Sequence, residues 1–307
     1  MSGAGAARTL PPEWRSWAAE EPPEDPRGTL ILSDLHLGRG PCTAERLAPL
    51  LADAGTVVLN GDSAEILLPS ARDAARRELD ALRTRMTREG ARAVFLEGNH
   101  DLGISNARHA FLAGGRILVT HGDAFDPRVA PWTPWAREAA TAAAEAMERL
   151  PESARMTIDA RFSAARAAAE CEWSDPARAE QHGGVMALLR RPHAVALILA
   201  YWRRYPRLAA EFAAAFAPGA MAVVCGHSHR PGSWKVGDRW ILNTGHFEFP
   251  ARPFAVRVRN GAMALERIRL GKRGYEFAST VAAWTSRAAA AAAEASTPVW
   301  IPQPLSR

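Results

Sequence analysis

Residues 31–38 read Ile31-Leu32-Ser33-Asp34-Leu35-His36-Leu37-Gly38, and the fold is decided there. The apolar run that begins near Thr29 stops at Ser33, after which Asp34 and His36 stand two residues apart ahead of a glycine. On an extended chain, residues two apart project to the same side. A carboxylate and an imidazole therefore share the carboxyl end of a strand, the edge at which open α/β sheets bind their ligands.

The same pattern returns further along the chain. Residues 56–60 (TVVLN) stop at Gly61-Asp62, and residues 91–96 (ARAVFL) precede Gly98-Asn99-His100-Asp101. Residues 116–120 (RILVT) stop at His121-Gly122-Asp123, and residues 221–225 (MAVVC) at Gly226-His227-Ser228-His229. Scattered polar residues would not keep recurring just past strands, so these ends are expected to converge. Further strands are predicted over 233–236, 240–243, 254–258 and 263–268. Asn260-Gly261 joins the last two, a strong hairpin signal.

Helices are predicted over 43–53, capped by Thr43, and over 70–89, capped by Ser70. From 131 to 218 strand signals vanish and alanine dominates, with breaks at Pro151, Asp175-Pro176, Gly183-Gly184, Pro192 and Pro206. Long structureless loops are uncommon, so this stretch reads as a helical cap inserted into a main domain of residues 28–270. Residues 1–27, with their paired prolines, read as an irregular arm. Residues 271–307 read as an alanine-rich helix over 280–295 and a tail.

The 307 residues suffice for one elaborated domain, and 48% apolar with 23% charged residues is ordinary for a globular chain. A net charge of +5 and a pI near 9.6 favour anionic partners. Cys42, Cys171 and Cys225 form no CxxC pair and read as reduced thiols, not as a disulfide framework. The sequence shows neither a secretory signal nor an apolar run long enough to span a membrane. The expected location is the cytoplasm, with the inner face of the membrane as a contact surface.

The residues at the strand ends count out as two metal sites. Imidazole, carboxylate and amide oxygen suit borderline divalent ions, Mn2+ first and iron or zinc after it. The absence of a thiolate disfavours structural zinc. Asp62 is the natural bridge. One ion takes Asp34, His36, Asp62 and His229; the other takes Asp62, Asn99, His121 and His227. Two such ions clamp the attacking and leaving oxygens of an in-line displacement at phosphorus and lower the pKa of a bridging water. His100, beside Asn99, is the candidate general acid, with Glu65 or Asp101 to hold its ring.

The order SDLHLG, NGD, EGNHD, THGD, CGHSH resembles the calcineurin-like metallophosphoesterase family over residues 29–269. The resemblance implies an α/β fold, a four-layered αββα sandwich of two mixed sheets. It also implies a dinuclear centre that hydrolyses phosphomonoesters, phosphodiesters or pyrophosphates. Gly61-Asp62-Ser63-Ala64-Glu65-Ile66-Leu67 lacks the Arg-Gly that follows in serine/threonine protein phosphatases. Glu65, HGD and GHSHRPG are instead similar to bacterial UDP-2,3-diacylglucosamine pyrophosphohydrolases. Those enzymes often have arginine where His100 stands, and they continue differently after Asn243-Thr244-Gly245.

Candidate substrate contacts are Arg230, Asn99 and His246. For Arg230 the alternative is a surface salt bridge, as it is for Arg39 and Arg128; for His246 it is a plain loop role. Tyr201-Trp202-Arg203-Arg204-Tyr205-Pro206-Arg207 mixes aromatic rings with arginine. It suits an anionic membrane or a lipid-linked substrate, stacking on nucleic acid, or the sealing of helices onto the main domain. The expected partner is a phosphorylated small molecule or lipid-linked nucleotide, with nucleic acid ranked below. A cyclic-nucleotide or general phosphodiesterase and a nuclease are the rival enzymes. A nucleic-acid-binding module and an inactive scaffold are the rivals of another class. The scaffold predicts missing ligands or a missing His100, and the sequence has them all.

Overall fold

The computed structural model describes residues 18–22, 25–175, 178, 192–248, 252–286 and 300–302. Its strands are Ala18–Ala19 (β1), Thr29–Leu32 (β2), Thr56–Asn60 (β3), Arg92–Leu96 (β4), His109–Leu112 (β5), Ile117–Thr120 (β6) and Ala222–Cys225 (β7). They continue with Gly232–Val236 (β8), Arg239–Asn243 (β9), Phe254–Arg259 (β10), Ala262–Gly271 (β11), Gly274–Ser286 (β12) and Trp300–Pro302 (β13). The helices are Ala44–Leu51 (α1), Arg72–Arg88 (α2), Ala136–Glu148 (α3), Ile158–Glu172 (α4) and Pro192–Phe216 (α5).

The strands make two mixed sheets, in the orders β13-β12-β11-β10-β2-β3-β4 and β1-β5-β6-β7-β9-β8. In the first, β2, β3 and β4 are parallel and β10, β11 and β12 antiparallel. In the second, β6, β7 and β9 are parallel, with β5 and β8 antiparallel at their flanks.

The alternation of side chains sorts the core into layers. Leu30 and Leu32 of β2, with Val57 and Leu59 of β3, meet Leu47 and Leu50 of α1 and Leu79 and Leu82 of α2. Ile31 and Val58 point the other way, against Ile117, Val119, Val224 and Leu242 of the second sheet. Leu118, Val223 and Cys225 leave that sheet's far face and pack on Phe162, Tyr205 and Phe212. The result is an α/β sandwich, helix on sheet on sheet on helix. Strands covered on both faces read as unbroken apolar runs, which is why the central strands were visible in the sequence.

Three differences from expectation have local causes. Residues 280–286 are strand, not the start of a helix: β12 pairs antiparallel along β11 and buries Trp284 against Trp240, so sheet pairing overrides alanine's helix propensity. The rest of that predicted helix lies outside the described residues. The N-cap of α2 is Ala71, not Ser70, because a turn accepting Ala71 and Arg72 N–H at Leu68 O leads into the helix. Pro206 lies inside α5 instead of ending a helix. Proline removes the N–H that would bond the carbonyl four residues back. That carbonyl, Trp202 O, is taken by Arg230 Nη1 at 2.8 Å.

β5, which starts at His109 after Arg108 and precedes no ligand motif, is not seen in the sequence; it pairs with β6 across the turn at Ala113-Gly114-Gly115. It also pairs with β1, so the described end of the N-terminal arm is strand. Gly183-Gly184 and residues 1–17 lie outside the described residues. The helical stretch supplies the outer layer of the second sheet through α4 and α5.

Candidate metal centre

The exits of β2 and β3 run side by side: Asp34 N–H bonds Gly61 O at 3.1 Å and His36 N–H bonds Asp62 O at 3.0 Å. The two aspartates then knot the remaining loops to this edge. Asp34 Oδ1 accepts His227 N–H at 3.0 Å, and Asp62 Oδ1 accepts His100 N–H at 2.8 Å. Ser33 Oγ bonds the Asp34 carboxylate and lies 2.5 Å from Thr244 Oγ1, so Asp34 is held from behind as well.

Close approach of the loops needs glycine at two points. A Cβ on Gly61, at φ +78°, would lie 2.5 Å from His121 Cγ, and one on Gly98 would lie 2.6 Å from the Asp62 nitrogen. Asp34, His36, Asp62, His227 and His229 themselves have positive φ between 47° and 60°. This left-handed conformation costs an L residue about 1–2 kcal/mol. Such strain gathers at functional sites when the surroundings enforce it.

The ligand-type atoms fall into three sets, each within 4.8 Å of one another: Asp34, His36 and His229; His36, Asp62 and His100; Asp62, His121 and His227. Asn99 joins the third set through Oδ1, 3.1 Å from His227 Nδ1. Four of the five rings are fixed by a bond on the far side. His36 and His100 turn Nδ1 to the two oxygens of Glu65, at 2.9 and 3.0 Å. His121 Nδ1 meets Asn60 O at 3.1 Å, and His227 Nε2 meets Val129 O at 2.9 Å.

The donor set fits divalent cations on the structure's own showing. Burial, then the neighbouring His121 charge, lowers the pKa of His227. A neutral ring that donates from Nε2 presents its Nδ1 lone pair to the Asn99 carbonyl oxygen. Two acceptors facing each other call for a cation. His121 Nε2 is a buried ring nitrogen turned to Asp62 Oδ2 at 3.1 Å. His36 Nε2 and His229 Nε2 face each other at 3.3 Å. Holding a ligand imidazole by its second nitrogen is how metal proteins fix tautomer and orientation.

Charge balance without ions shows how tightly the groups are coupled. Burial opposes ionisation of Asp34, but the His229 bond and the His121 charge outweigh it and bring its pKa to about 2. Burial likewise opposes the charge on Glu65, and His100 and His36 overcome it, holding the carboxyl well below its usual range. Burial disfavours protonated His100 and His121, yet Glu65 and Asp62 lift the first and Asp62 the second, each to about 10.

The other predicted site residues divide. Of the two candidates for orienting His100, Glu65 holds the ring. Asp101 does not: its oxygens accept Ser63 N–H and Gly98 N–H, each at 2.7 Å, which ties two loops together. Burial and the Asp62 charge raise the Asp101 pKa to about 7. His246 stacks on His229 with centroids 4.4 Å apart, at the border of the cluster, and burial with the His229 charge lowers its pKa to about 3. Arg230 is engaged elsewhere, on Trp202 O and over the Trp234 ring at 5.1 Å. Arg39 reaches Glu65 and Glu248, and Arg128 pairs with Asp126. In the aromatic stretch, Tyr201 and Tyr205 are buried and Trp202 donates to Ser228 O, so it seals α5 to the sheet.

Sequence reasoning missed Ser33 and Thr244, whose only signal is their place beside ligand motifs. It also gave Trp173 no site role; this ring packs edge-on to His100 at 5.0 Å.

No protein-family model and no curated protein matches the chain. Solved structures do. Vps29 from Entamoeba histolytica, complexed with Zn2+, aligns over 82% of this chain and 97% of its own at 14% identity, TM-score 0.37. Vacuolar Protein Sorting 29 from Cryptosporidium parvum aligns over the same shares at 16% identity and 0.38. A conserved uncharacterized protein from Streptococcus pneumoniae, described as a predicted phosphoesterase, aligns over 82% and 97% at 15% identity and 0.34. At these scores the likenesses decide nothing about activity.

Proposed function

We propose that this chain is a divalent-metal-dependent phosphoesterase. The observation that carries the reading is the convergence of Asp34, His36, Asp62, Asn99, His121, His227 and His229 into overlapping ligand sets, with His227 Nδ1 3.1 Å from Asn99 Oδ1 and His36 Nε2 3.3 Å from His229 Nε2. Asp34, His36 and His229 would hold one ion, Asn99, His121 and His227 the other, and Asp62 both. Two such ions, when bound, supply Lewis acidity and an activated water for in-line displacement at phosphorus. His100 is the general acid: Glu65 holds Nδ1, and the Nε2 proton goes to the leaving oxygen. His100 keeps 15% of its side chain exposed while Glu65 is fully buried, so the acid meets substrate and its orienter does not.

Trp173 beside His100 and Trp132, 6.4 Å from His227, set aromatic rings against two points of the cluster. They support a substrate carrying an apolar or base-bearing group, a nucleotide-type or lipid-linked pyrophosphate such as UDP-2,3-diacylglucosamine. The test is turnover of bis-p-nitrophenyl phosphate, p-nitrophenyl phosphate and that nucleotide by protein loaded with Mn2+. Turnover is expected from wild type and is expected to be lost in Asp62→Asn. Absence of turnover of every ester with Mn2+, Zn2+ and iron overturns the reading.

A further inference from the structure

Behind the Asn99–His121 side of the cluster lies a buried ionic group centred on Arg108, a residue in none of the ligand motifs. Arg108, just before β5, is fully buried. Its guanidinium is divided between two acids that are buried too: Nη1 donates to Glu97 Oε1 at 3.1 Å and Nη2 donates to Asp123 Oδ2. Glu97 stands two residues before Asn99, and Asp123 stands two after His121. Helix α4 adds Arg166, whose Nη1 reaches Glu97 Oε1 and Oε2 at 3.1 and 2.9 Å. Glu97 Oε2 also accepts Gly103 N–H at 2.5 Å, which closes the loop that carries Asn99 and His100.

Stability alone does not account for this arrangement. Buried ion pairs gain little over apolar packing of similar volume, because desolvation offsets the attraction. What a guanidinium does supply is a rigid, permanently charged fork that fixes two carboxylates at a set separation. Here the two carboxylates lead directly into two loops whose ligands must meet at one point. The backbone that leads into β5 is held in place too: Thr120 Oγ1 of β6 donates to Arg108 O at 3.0 Å, and Glu97 N–H to Ala107 O at 2.7 Å.

We infer that Arg108 is a positioning residue that sets Asn99 and His121 in register to complete the second ion site, with Arg166 linking that register to the helical layer. The inference rests on the two-ion reading above. Isothermal titration of the full-length protein with Mn2+ alone tests it, with circular dichroism as the check on folding. Wild type is expected to bind two ions. Arg108→Met and Asp123→Asn are expected to keep the first at wild-type affinity and to bind the second about 10–100-fold more weakly, as loss of an outer-shell partner does. Arg108→Lys, which keeps the charge without the fork, is expected to fall between.

Two ions at wild-type affinity in both variants overturn the inference. So does an equal weakening of both ions, which a general loss of structure would give. If Arg108→Met does not fold, the near-isosteric Asp123→Asn carries the test. A wild-type chain that takes up no Mn2+ fails earlier and separately, overturning the metal reading and this inference with it.

Discussion

The two ends of the ligand cluster are built by opposite means. At the Asp34–His36–His229 end, two ligands come from the first sheet and one from the second. At the Asp62–His121–His227 end the shares are reversed. His36, with His100 beside it, is steered by a side chain, the buried Glu65 carboxylate. His121 and His227 are steered by backbone carbonyls, at Asn60 and Val129. A carbonyl cannot be mutated away, so the second end owes its adjustability to what holds its loops. A carboxylate can be neutralised by one substitution, so the first end and the proposed acid, His100, share one vulnerable point.

The largest expected effect separates the acid from the ligands. His100→Asn should lower kcat by about 10²–10⁴-fold, the usual worth of general acid catalysis, while Mn2+ uptake measured by titration stays at two ions. Loss of an ion in that variant would make His100 a ligand, as its place in the set with His36 and Asp62 allows.

Next comes the shared orienter. Glu65→Gln should weaken the first ion and lower kcat together, each by about 10–100-fold, and leave the second ion's affinity unchanged. An effect confined to the second ion would break the comparison.

Smallest is a proton count. In the ion-free chain the His121 pKa is raised to about 10, so near neutral pH this ligand carries a proton that metal must displace. Mn2+ affinity should rise with pH, with about one proton released per ion at the second end. Titration in buffers of different ionisation enthalpy reads it directly. The stability of the ion-free chain follows the same groups. The His121–Asp62 interaction is fully present below the unfolded histidine value of 6.5 and is lost as pH rises to about 10. Asp34, lowered to about 2, stabilises above 3.8, and that contribution is lost as pH falls through 2. An ion-free melting temperature that climbs steadily from pH 7 to 10 would contradict these signs.

β2, β3, β6 and β7 were legible because both faces of each are buried, and the ends of the last three were legible because Asp62, His121 and His227 sit just beyond them. β5 and β12 were not. β5 starts at a histidine and ends in no ligand-type residue. β12 is rich in alanine, and its identity lies in pairing with β11, a contact no local window contains. The ligands could be read one by one, but their support could not. Glu65 was visible through its spacing from Asp62. The carbonyls of Asn60 and Val129, the Ser33–Thr244 pair and Arg108 have no sequence mark, since a backbone acceptor or a buried arginine looks the same in any context.

The bond from His227 N–H to Asp34 joins residues 193 apart in the chain. As the polypeptide leaves the ribosome, β2, β3 and β4 can pair early, with Asp34, His36, Asp62 and Asn99 already at their ends. The helical stretch must then be made and laid down before β7 returns with His227 and His229. Until that strand docks, each proposed ion site lacks one of its four ligands, His229 at the first and His227 at the second. On the proposed metal reading, tight capture would report on completed synthesis, and a chain stalled inside the helical stretch would hold metal more weakly.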